Sequence, residues 1–100
     1  MKKEYQNLTE TFTASLIGLR KKDGRYVLIF VLLDSHTAKH IAIDIHDTIH
    51  EILGTTNLNP NFKATLCLNL PRTFKLILKD NNWKIQNEYQ ILSYAISKSL

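Results

Sequence analysis

Alternation of apolar and polar positions runs through the first half of the chain. From Thr9 to Leu19, Phe12, Ala14 and Leu16 point one way while Thr11, Thr13 and Ser15 point the other. That period of two predicts a half-buried strand. Asp23-Gly24 then separates two strand-like runs and predicts a two-residue hairpin turn, because the primed turns need positive φ. Tyr26 to Leu33 is apolar on both faces and reads as a central strand. Asp34 to Thr37 is turn chemistry. Lys39 to Ile45 alternates again, with Ile41, Ile43 and Ile45 against His40, Ala42, Asp44 and His46.

The period then changes. Thr48 and Glu51 fit a capping box, Ile49, Ile52 and Leu53 form a helical stripe, and Gly54 is a C-terminal stop. Thr55 to Asn61 reads as loop. Phe62 to Leu70 alternates Phe62, Ala64, Leu66, Leu68 and Leu70 with Lys63, Thr65, Cys67 and Asn69, which predicts a fourth strand ended by Pro71. Phe74 to Leu78 predicts a strand, Lys79 to Asn82 a turn, and Trp83 to Gln86 a short strand. Asn87 is placed to cap a last helix whose stripe is Tyr89, Leu92, Ile96 and Leu100.

The predicted class is α+β, with one domain over residues 1–100. A mostly antiparallel sheet or small barrel carries a short middle helix and a C-terminal helix. The order βββα-βββα is compatible with an OB-like barrel or an open meander, and it hints at a duplicated unit. The longest apolar run, Val27 to Leu33, is too short to span a bilayer as a helix. The basic start has no apolar stretch behind it, so no secretory leader is expected. The single Cys67 excludes an internal disulfide and suits a reducing, cytoplasmic compartment. Asn7-Leu8-Thr9 matches a glycosylation acceptor, a chance match without a secretory route.

Charge changes this picture most. The net charge is +4, and Arg20, Lys21, Lys22 and Arg25 crowd one hairpin tip. Lys22 and Arg25 would sit opposite each other there, which is unfavourable for like charges. Arg72, Lys75, Lys79 and Lys84 surround the second hairpin. With Tyr26 and Trp83 as stacking surfaces, these residues are the candidate contacts for single-stranded nucleic acid. The alternative is a protein–protein module, an adaptor, inhibitor or assembly subunit, using its sheet face and C-terminal helix on a protein partner or a second copy.

A further alternative rests on the histidines. His40, Asp44 and His46 share a strand face, with His50 one helical turn on, and imidazole with carboxylate suits a divalent metal or a hydrolytic acid–base pair. His36 lies in the preceding turn. The same residues also serve as the polar outer face of a half-buried sheet. No Cys pair, His-Glu-x-x-His, phosphate loop or nucleophile elbow is present. A non-enzymatic binding module without cofactor or membrane contact is the expectation.

Overall fold

A computed structural model describes residues 9–33 and 39–100. Its centre is a long strand, β1 (Glu10–Lys22), paired on both sides. The other strands are β2 (Arg25–Leu32), β3 (His40–Asp44), β4 (Thr73–Lys79) and β5 (Asn82–Ile85). They form one five-stranded antiparallel sheet in the order β3-β2-β1-β4-β5. The sheet is open, with β3 and β5 at its edges, so the barrel alternative does not hold.

Both hairpin turns have the chemistry the sequence advertised. Asp23 and Gly24 take φ of 52° and 78°, and Asp80 and Asn81 take 52° and 64°. Two consecutive positive φ values make the primed turn whose twist matches that of the flanking strands. The predicted turn at residues 34–37, with His36, lies outside the described residues.

Three helices, α1 (His46–Leu53), α2 (Pro60–Asn69) and α3 (Glu88–Ser99), supply the other layer. The core joins Leu28, Phe30, Ile41, Ile43, Phe74 and Leu76 of the sheet to Ile49, Leu66, Leu92, Ala95 and Ile96 of the helices. All of those strand residues point to one face. Among the described residues, the opposite face carries no helix.

The region from Phe62 to Leu70 is a helix and not a strand. Its apolar residues fit both periods, because Phe62, Leu66 and Leu70 are also spaced four apart. Local chemistry decides between them. Pro60 occupies the first turn, where its missing N–H costs nothing, and the Asn59 side chain accepts from the Phe62 N–H at 2.8 Å. This also removes the duplicated βββα unit, since two helices now separate β3 from β4. Cys67 leaves the predicted strand face and sits half-buried on α2.

Two cap expectations change as well. The Thr48 hydroxyl does not cap α1; it donates to the Glu88 carboxylate and ties α1 to α3. Asn87 is the N-cap of α3, but in the left-handed region with no side-chain cap bond. Gly54 does stop α1, at φ 77°, with its N–H donating to the His50 carbonyl at 2.7 Å. Along α3 the buried stripe is Leu92, Ala95 and Ile96, whereas Tyr89 and Leu100 are exposed.

The helical register of α2 makes a sharp prediction. Leu66 is fully buried and Leu68 is 84% exposed, although both would share one face of a strand. Leu66→Ala should cost about 3 kcal/mol in urea unfolding. Leu68→Ala should change stability by less than about 0.5 kcal/mol. Equal losses at the two positions would restore the strand.

Candidate functional site

The helix-free face of the sheet gathers most of the expected cations. A β-bulge at Ile17 shifts the register of β1 between Leu16 and Gly18. Before it, Ala14 and Leu16 point to the helices. After it, Leu19 and Lys21 do so, opposite Leu28 and Tyr26. Arg20 and Lys22 are thereby turned to the open face, opposite Val27 and Arg25. Lys75, Ile77 and Lys79 of β4 face the same way, and Lys84 of β5 pairs with Ile77. Between the two cationic ends lie Thr11, Thr13, Ser15, Val27, Ile29 and Val31. Arg20, Lys22, Arg25, Lys75, Lys79 and Lys84 therefore share one surface, and among the described residues Asp44 is the one carboxylate that the strands themselves place on it.

The charge conflict at the hairpin tip is relieved locally. Lys22 and Arg25 are indeed cross-strand partners. Arg25 Nε donates to Asp44 Oδ2 at 2.7 Å, and Arg25 Nη2 donates to Asp47 Oδ1 at 2.9 Å. Its guanidinium is held still more firmly protonated by Asp44 and then by Asp47. The Arg25 hydrogen bond holds the Asp44 carboxyl below the usual carboxylate range; partial desolvation opposes this, and the His46 N–H, which donates to Asp44 Oδ1 at 2.9 Å, adds to it. Of the face's cations, Arg25 is thus the one in an ion pair among the described residues. Lys75 Nζ donates to the Thr13 hydroxyl, a neutral acceptor, at 2.8 Å.

Four expected contacts lie elsewhere. Tyr26 is 2% exposed, on the helix side, so it offers no stacking surface. Its ring lies parallel to that of His46, with centroids 5.9 Å apart, and Lys21 Nζ sits 5.1 Å from its centre. Lys21 therefore belongs with Tyr26 on the helix side. Trp83 packs on Phe12 with ring centroids 5.3 Å apart, also on the helix side. Arg72 precedes β4, and its carbonyl accepts from the Leu16 N–H at 2.9 Å. Base stacking on Tyr26 or Trp83 has no support in this geometry. Among the described residues no aromatic side chain lies on the cationic face.

The histidine set does not converge. His40 and Asp44 face outward on β3, but Asp44 is held by Arg25. His46 begins α1 and turns inward, where its Nδ1 accepts from the Tyr26 N–H at 3.2 Å. His50 is exposed on α1. Among the described residues no three His, Cys, Asp or Glu side chains come close enough to hold a metal ion. The imidazole of His46 is used structurally, to fix the start of α1 against β2.

The remaining concavities are shallow. One of about 600 Å³ runs between α2 and α3, lined by Asn69, Pro71, Asn87, Gln90, Ile91 and Tyr94. A second, of about 290 Å³, follows β1 at its bulge. No helix among the described residues is long and apolar enough to cross a membrane. Comparison with family models, with curated proteins and with solved structures found no match.

The Asp44 pairing sets a pH dependence. Its folded pKa is depressed, so its stabilisation is present above the ordinary Asp value and is lost as pH falls through the folded one. Asp44→Asn should lower stability at neutral pH. The gap between parent and variant should close as pH drops below about 4 in urea titrations. A gap independent of pH would remove the carboxylate's role.

Proposed function

We propose that the protein is a non-enzymatic module that holds a single-stranded nucleic acid by its phosphates across the open face of the sheet. The observation that carries this reading is the grouping of Arg20, Lys22, Lys75, Lys79 and Lys84 on one surface, none of them in an ion pair among the described residues. Phosphate contacts supply most of the affinity in sequence-independent binding. The cations lie toward both ends of a sheet whose longest strand has 13 residues, a span of about 40 Å. An extended polyanion reaches both ends at once. The sheet's twist turns the row of cations along its length, which a flexible single strand follows more readily than a stiff duplex.

Without a ring on this face, bases are left unread and sequence preference is weak. Ser15, Thr11 and Thr13 provide hydroxyls between the cations, suited to phosphate oxygens. The apolar strip of Ile29 and Val31 gives a surface on which sugars and base edges can rest.

Fluorescence anisotropy with a labelled mixed-sequence oligonucleotide tests this. Binding should weaken steeply with salt. Lys22→Ala, Lys75→Ala and Lys84→Ala should each weaken it alike for all sequences, each flattening the salt slope by up to about one unit. Lys21→Ala, on the opposite side of the same strand, should leave affinity nearly unchanged. Full affinity in the combined Lys22, Lys75 and Lys84 variant would overturn the assignment.

A further inference from the structure

The ladder between β1 and β4 stops well before β1 does. Its last pair is Ser15 with Thr73, followed by the bond from the Leu16 N–H to the Arg72 carbonyl. β1 continues to Lys22 with β2 alone as its partner. On the β4 side, no described backbone group pairs with residues 17–22.

Hydrogen-bond directions identify which groups face that gap. The Tyr26 carbonyl accepts from the Ile45 N–H, so it points away from β1. Its cross-strand partner Lys21 must then point away from β2. By alternation Leu19 does the same. Their N–H and C=O groups form a short edge with no strand partner among the described residues, a ready template for another strand.

Arg20 marks the edge directly. Its Nη1 donates to the Leu19 carbonyl at 3.2 Å, in the place where an added strand would put its N–H. The guanidinium reaches there by lying over Gly18; a Cβ at Gly18 would stand 2.4 Å from Arg20 Nη1. Beside the edge, Ile17, Leu19, Cys67, Leu68 and Arg72 line the groove of about 290 Å³. Ile17 and Leu68 are large apolar side chains at 44% and 84% exposure.

We infer that this edge of β1, from Leu19 to Lys21, docks an extended acidic peptide of another protein as an added strand. The surrounding charge selects the occupant. Arg20, Lys21, Lys22, Lys63 and Arg72 flank the edge, and among the described residues no carboxylate lines the groove. Two copies of this chain pairing edge to edge would set Arg20, Lys21 and Lys22 against their own kind, which like-charge repulsion opposes. A nucleic acid has no N–H and C=O ladder to match Leu19 and Lys21. In an added strand, acidic side chains on the open-face side meet Arg20 and Lys22. Apolar side chains on the other side meet Leu19, Cys67 and Leu68. The site shares Arg20 and Lys22 with the nucleic-acid reading, but it rests on the Leu19 and Lys21 backbone groups, which that reading does not use.

The test uses the full chain, labelled with ¹⁵N, and an end-blocked heptapeptide alternating Glu and Val. The peptide should bind at low salt and slow hydrogen exchange at the Leu19 and Lys21 amides. Two analogues, N-methylated on the odd or on the even residues, should differ. One of them must bind about tenfold more weakly or worse, because it loses ladder bonds. Binding that leaves the Leu19 and Lys21 amides unprotected, or equal affinity of the parent and both analogues, would overturn the inference. So would failure to bind at low salt. Sedimentation as a dimer without peptide, with those amides protected, would give the edge to a second copy and overturn it too.

Discussion

Two phenylalanine rings meet over an alanine at the centre of this sheet. β2 and β4 are not neighbours; β1 lies between them. Phe30 of β2 and Phe74 of β4 nevertheless touch edge to face, with centroids 5.1 Å apart. They meet because Ala14, fully buried on β1, leaves room above the strand. An edge-to-face pair adds about 0.5–1.5 kcal/mol beyond the area it buries. Its structural consequence is larger. It braces the hairpin of β4 and β5 against β2 across β1, whose two ladders set which side chains of the two halves share the open face. A larger residue at position 14 would part the rings and loosen that relation.

The bulge at Ile17 is the second constraint. A regular strand that buries Ala14 and Leu16 would also bury Gly18, Arg20 and Lys22. The extra residue reverses this parity, so that Leu19 enters the core and the cations turn outward. Gly18 suits the site twice over, as a bulge residue and as the bare backbone on which Arg20 rests. A single inserted residue thereby assigns Arg20 and Lys22 to one face and Lys21 to the other. Arg20 takes part in both the cationic face and the open edge, whereas Lys75 and Lys84 serve only the face.

Much of this was legible in the residues. Clean alternation in β1 and β3, and the Asp23-Gly24 and Lys79–Asn82 turns, carry the sheet. The α+β class, the first helix and the terminal helix follow from periodicity. The helix α2 was hidden because Phe62, Ala64, Leu66, Leu68 and Leu70 fit a period of two, and because Leu68 remains exposed and blurs its apolar stripe. The signal that could have revealed it was Asn59-Pro60, a cap followed by proline in the first turn. The cations were visible as two loop clusters, but their common face was not, because the bulge leaves only Gly18 as a trace. The histidine spacing misled for a related reason. His46 falls where strand gives way to helix, and its ring follows the helix inward, away from His40 and Asp44.

The central claim is that the cationic sheet face opposite the described helices takes up a polyanion while the helix side does not. Lysine acetylation footprinting, with and without a saturating single-stranded oligonucleotide, reads both sides in one experiment. Lys22, Lys75, Lys79 and Lys84 should be shielded, whereas Lys21, Lys63 and Lys98 keep their reactivity. Uniform shielding, or shielding centred on Lys63 and Lys98, would contradict the account.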